Sequence, residues 1–144
     1  MVIRRVLVFG IVSAIVSMAA VASAQSTEMF KGHLSPLPVT GATAPLTLGS
    51  GSFTATLRGN VLTISGKFEG MNSPATVAHI HRAQKARRGP VVLNLMVTPA
   101  PSGIVTGELT LTMNQVDELR KGWYYIQIHA EKNPDGQLRG WILK

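Results

Sequence analysis

The sequence predicts an all-β fold: an antiparallel Greek-key β-sandwich or barrel, immunoglobulin-like or superoxide-dismutase-like, with one short helix. Three observations lead there. Apolar and polar residues alternate over short runs, the signature of half-buried strands. Turn signals recur about every ten residues, the spacing of sandwiches and barrels. The 144-residue chain has no cysteine, so packing and backbone pairing alone must hold it.

The first residues stand apart from that pattern. Met1-Val2-Ile3-Arg4-Arg5 is a short positive region, followed by an apolar run from Val6 to about Val21. Ala22-Ser23-Ala24 then supplies small residues at the positions a signal peptidase reads. The run is shorter than the ~20 residues that a spanning helix needs. We therefore expect residues 1–24 to be a secretory signal and Gln25 to Lys144 to be one domain with no membrane span. On this reading the protein is periplasmic or secreted. Its 14 Lys and Arg against 7 Asp and Glu give a net charge of +7, which falls to +5 without Arg4 and Arg5. Such an excess favours anionic partners, and after export those are surface polymers or proteins and not nucleic acid.

The elements follow in order. Phe30 to Gly49 carries three prolines and three glycines, so it is expected to be irregular or at most an edge strand. In Ser52 to Leu57 the apolar residues Phe53, Ala55 and Leu57 share one face. Gly59-Asn60 is a two-residue hairpin signal, and Val61 to Phe68 returns with Leu62, Ile64 and Phe68 inward. Strands are then expected at Thr76 to His81, Pro90 to Val97 and Ile104 to Thr112. Asn114 to Lys121 reads as a short helix, with Thr112 or Asn114 as its cap and Gly122 at its stop. Trp123 to Ala130 is a strand by composition, Asn133-Pro134-Asp135-Gly136 a turn, and Gln137 to Leu143 the last strand.

Three stretches taken together resemble the CHRD domain, a module named after chordin and also found alone in exported bacterial proteins. They are AHIH at Ala78 to His81, GPVV at Gly89 to Val92, and GWYYIQIHAEKNPDGQLRGWI at Gly122 to Ile142. The resemblance spans nearly the whole domain and implies architecture more than mechanism. It departs at one place: a short neutral loop usual after AHIH is here the longer, basic HRAQKARRGP.

Residues i and i+2 of a strand share a side, so Val77, His79 and His81 face one way and Ala78 and Ile80 the other. On the Trp123 strand, Ile126 and Ile128 are natural core residues, leaving Tyr125, Gln127 and His129 opposite. If the two strands pair, three imidazoles gather: His79, His81 and His129. Such a set binds copper or zinc and leaves a fourth position open. The plainer reading is that these are hydrogen-bonded residues on a wet strand face.

Other constellations are weaker. A copper-zinc dismutase needs several further histidines, an aspartate and a disulfide, whereas only His33 remains and there is no cysteine. No G-x-S-x-G elbow occurs. Asp117 and Glu118 read as exposed helix residues, and Glu131 with Asp135 are too few oxygens for calcium. Arg82, Lys85, Arg87 and Arg88 form a basic cluster that either keeps a loop solvated or docks an anionic partner. Arg139 is expected to pair with Glu131 or Asp135 across the last hairpin. The sequence thus favours an exported, non-enzymatic binding or scaffold module that requires no cofactor. The competing reading is a copper- or zinc-binding protein that uses the three histidines.

Overall fold

Alternation alone builds the first hairpin. In β2 (Ser50–Arg58) Phe53, Ala55 and Leu57 are buried, and in β3 (Val61–Glu69) Leu62, Ile64 and Phe68 are. The strands pair from Ser50↔Glu69 to Arg58↔Val61, which leaves Gly59-Asn60 as the turn. Gly59 takes a φ of 61° while Asn60 stays out of the left-handed region, as in a II′ turn, whose twist matches the strands it joins. The computed structural model describes residues 26–37, 41, 42, 44 and 47–144. The expected signal segment, residues 1–24, lies outside the described residues.

The other elements are β1 (Thr27–Pro36), β4 (Ala75–Arg82), β5 (Val91–Val97), β6 (Gly103–Thr110), α1 (Met113–Arg120), β7 (Tyr124–Ala130) and β8 (Asn133–Trp141). The eight strands close into one barrel in the order β1-β2-β3-β6-β5-β4-β7-β8, every neighbour antiparallel. The choice between sandwich and barrel is thereby resolved as a closed barrel. Closure is uneven, however. β5 meets β6 only through Met96↔Thr106 and Val97↔Val105, and β1 meets β8 only through Ser35↔Arg139 and Pro36↔Leu138. Two four-stranded leaves, β1-β2-β3-β6 and β5-β4-β7-β8, are laced at these short seams. Between them lies one core that includes Phe30, Leu34, Ile64, Ile80, Ile126 and Leu138.

Three expectations need correction. The proline-bearing lead-in opens with a regular ten-residue strand, β1, paired to β2 from Thr27↔Arg58 to Leu34↔Gly51. Its prolines start only at Pro36, so every residue before that keeps its N–H for the ladder. The last hairpin does not turn at Asn133 to Gly136: Ala130 already pairs with Asn133, so the turn is Glu131-Lys132. Glu118 is not an exposed helix residue but is buried, at 4 % exposure. It accepts from Tyr124 Oη (2.7 Å) and Asn114 Nδ2 (3.1 Å) and pairs with Arg82 at 2.6 Å, so the buried charge is matched.

The helix itself is as expected. Thr112 and Gln115 form a reciprocal capping box, and Gly122 follows the last turn with a φ of 70°. Its Arg120 reaches back to Glu28 on β1 (2.6 Å), which also holds Lys144 (2.7 Å). Those two cations, Arg120 first, lower the Glu28 carboxyl from 4.5 to about 2. A depressed acid adds stability that is complete above its unfolded value and is lost as pH falls toward the folded one. Acid titration of unfolding is therefore expected to show a component between about pH 4.5 and 2 that Glu28→Gln removes. Identical acid limbs in parent and variant would overturn this assignment.

Candidate functional site

β4 runs through the middle of its leaf, hydrogen-bonded to β5 on one side and β7 on the other. Ala78 and Ile80 are buried in the barrel, and this turns His79 and His81 onto the outer wall. β7 does the same with Ile126 and Ile128 inward and Gln127 and His129 outward. The register is His79↔Gln127 and His81↔Tyr125, so the antiparallel pairing expected from the sequence is present.

His129 sits where both neighbouring ladders are irregular. Between Ala75↔Ala130 and Ala78↔Ile128, β4 has Thr76 and Val77 where β7 has only His129. Between Ala130↔Asn133 and Ile128↔Leu138, β8 has Pro134 to Gln137 opposite the same residue. Bulges of this kind re-aim side chains. The ring centroids of His79 and His129 are 5.2 Å apart, those of His79 and His81 5.9 Å, and those of His81 and His129 6.1 Å. One nitrogen from each ring lies within 4.8 Å of the other two. This is the one such group of three or more ligating side chains among the described residues.

Backbone carbonyls orient two of the rings. His81 Nδ1 lies 2.9 Å from Gly89 O, and His129 Nδ1 lies 2.7 Å from Pro134 O. A carbonyl only accepts, so each Nδ1 carries the proton and each Nε2 keeps its lone pair. His81 Nε2 and His79 Nδ1 are buried without a hydrogen-bond partner. Buried nitrogens rarely go unpaired, and such a vacancy calls for an explanation. Burial pushes both of these imidazoles below the ordinary histidine range; at His81 the Gly89 carbonyl opposes this, and at both rings protonation of a neighbouring imidazole would add to it. Neutral rings with directed lone pairs are the state in which histidine binds metals.

A second layer surrounds the trio. The Tyr125 ring stacks on His81, with centroids 4.9 Å apart and planes 8° apart, and the Arg139 guanidinium lies over the Tyr125 ring at 4.6 Å. Arg139 donates to Gln127 Oε1 through Nε (3.1 Å) and Nη2 (2.9 Å). It does not pair with Glu131 or Asp135 as expected, because the register sets Gln127 directly opposite it. Gln127 Nε2 in turn donates to Asp135 O (2.9 Å) and stands 3.4 Å from His129 Nε2. The Asn133 to Gly136 segment thus supplies two carbonyls to the site. Neither Glu131 nor Asp135 joins a ligand group.

The basic loop curls back beside β4. Arg82 N–H donates to Pro90 O and Ala83 N–H to Trp123 O, which brings Gly89 over His81. Arg82 itself leaves the expected anion cluster, since Glu118 holds it. Lys85, Arg87 and Arg88 have no carboxylate within 4 Å among the described residues. His33 is on β1, outside the trio. A hollow of about 710 Å³ lies elsewhere, over Lys31, Ser52, Thr54 and Lys67. His33 is the one histidine on its lining, and no group of three ligating side chains forms there among the described residues, so the histidine wall is the stronger candidate.

The model of the CHRD domain matches residues 23–142. The chain belongs to the CHRD domain family. No curated protein and no solved structure matches it. The AHIH strand, the hydrophobic strand that ends at His129-Ala130 and the N-P-D-G segment, all part of the family resemblance, supply the three histidines and the two carbonyls of this face. In this CHRD domain no helix among the described residues is long and apolar enough to cross a membrane.

Gly89 holds two partners at once: its carbonyl meets His81, and its N–H donates to Tyr125 Oη at 3.2 Å. A Cβ there would overlap the carbonyl oxygen of Arg82. Gly89→Ala is expected to cost about 1–3 kcal/mol and to release His81 from its single tautomer. Urea unfolding and imidazole nitrogen NMR check this; one retained Nδ1–H tautomer with unchanged stability would refute it.

Proposed function

We propose that this CHRD domain is a binding module that holds one copper or zinc ion on His79 Nδ1, His81 Nε2 and His129 Nε2. The observation that carries the reading is the convergence of one nitrogen from each of three imidazoles within 4.8 Å, on a wall where His79 Nδ1 and His81 Nε2 are buried without a partner. An all-nitrogen, neutral set suits Cu(II) and Zn(II). The carbonyls on His81 and His129 are the outer partners that metal-ligating histidines commonly have. Holding an ion is the assigned role, as in a carrier or store, and no turnover is assigned. The signal-like N-terminal segment supports a periplasmic or secreted setting.

The test is thermal unfolding with chelator, Zn(II) or Cu(II), in the parent and in a His79→Ala/His81→Ala variant. Free metal at a hundredfold excess over Kd stabilises by about 2.7 kcal/mol, a shift of order ten degrees for a domain of this size. That shift is expected in the parent and not in the variant. No shift with either metal sinks the reading.

A second reading, a scaffold that docks an anionic surface polymer or protein, is favoured by the unpaired cations Lys85, Arg87 and Arg88. Neutralising all three is expected to lower the salt concentration that elutes the protein from a sulfated-polysaccharide column. Unchanged elution would remove the loop as a docking site.

A further inference from the structure

The outer wall offers more than three lone pairs. Gln127 is nearly fully buried and sits between Arg139 on one side and His129 on the other. Its amide orientation is fixed by chemistry. A guanidinium has only donors, so the Gln127 oxygen must face Arg139 and the nitrogen must face away. One N–H of that nitrogen is spent on Asp135 O, and the other points at His129 Nε2. Gly136 keeps the arrangement tight: it has a φ of 130°, and a Cβ there would come within 2.5 Å of Gln127 Nε2.

Once a metal takes the His129 lone pair, this second N–H loses its acceptor while remaining aimed at the metal's surroundings. A buried donor without an acceptor is costly. Three neutral imidazoles leave a divalent ion with its full charge, and no carboxylate belongs to the group. Arg139 adds positive charge beside His81, and Arg88 acts on Arg139 in turn.

The geometry points to a fourth coordination position that takes a small anion, with the Gln127 amide N–H as its hydrogen-bond donor and Arg139 as the residue that fixes Gln127 in that orientation. The inference rests on the metal reading. It assigns the class of exogenous ligand, hydroxide- to azide-sized, and makes Gln127 a specificity determinant. Arg139 acts through Gln127 and is a positioning residue.

The experiment uses the purified protein loaded with Cu(II), titrated with azide and followed by the azide-to-copper absorption band and by electron paramagnetic resonance. Copper affinity is measured separately by calorimetry. In the parent, azide is expected to bind and perturb both signals. Gln127→Met, close in shape and without a donor, is expected to weaken azide about tenfold, the worth of one hydrogen bond to a charged group, while copper binds no more weakly than in the parent. Arg139→Gln is expected to weaken azide in the same direction, because Gln127 is then free to flip; it keeps the test open if Gln127→Met does not fold. A merely structural role would move stability or copper affinity and leave azide affinity at full copper occupancy alone. Equal azide affinity in parent and variants overturns the inference while the metal reading stands. Copper binding with no azide response in the parent does the same. Failure to bind copper at all overturns both.

Discussion

Burial of Ala78 and Ile80 from β4, together with Ile126 and Ile128 from β7, sets the register of the two strands that make the outer wall. Strand side chains alternate strictly, so a slip of one residue would send His79, His81 and Gln127 into the core and lift the isoleucines into water. Each buried isoleucine is worth roughly 1.5–3 kcal/mol of apolar burial. The wrong register is therefore excluded by several such residues at once. The histidines contribute little to that choice. They are placed by what is packed behind them, and the site inherits its rigidity from a core it does not touch.

Alternation also explains what could be read from the residues alone. The β2–β3 hairpin, the capped helix and the outward histidines all depend on local rules: period two, a glycine turn, a Thr112–Gln115 box. The misreadings share a different cause, since each concerns a long-range partner. β1 is a strand because β2 and β8 flank it, although its proline content argued otherwise. Glu118 is buried because Arg82 and Tyr124 come to meet it. That also removes Arg82 from the basic cluster in which it stands by sequence. Arg139 faces Gln127 because an excursion in β8 shifts the register past the nearby acids. Gln127 was visible as an outward residue, but its fixed amide orientation depends on Arg139, twelve positions away.

The Asn133 to Gly136 stretch illustrates the same point within one motif. Its composition is that of a hairpin turn, yet the chain has already turned at Glu131-Lys132. What the composition provides instead is a segment that can leave the ladder, since proline has no N–H to pair and Gly136 tolerates positive φ. Two carbonyls freed from strand pairing then face His129 and Gln127. A sequence that reads as punctuation serves as a source of acceptors.

The two leaves of the barrel differ in what they carry. Every side chain of the histidine wall, with its Tyr125, Gln127 and Arg139 surround, belongs to the β5-β4-β7-β8 leaf, and the strand ladders at the seams to the other leaf are two residue pairs each, with a Lys31↔Leu143 bridge beside one of them. Cooperative opening in a folded protein begins where few backbone bonds must break. Amide exchange is therefore expected to be faster at the seams than inside either leaf, while the one core shared by both leaves holds them together. The mutual distances of the wall's side chains are set by the ladders inside one leaf and do not depend on the seams that close the barrel.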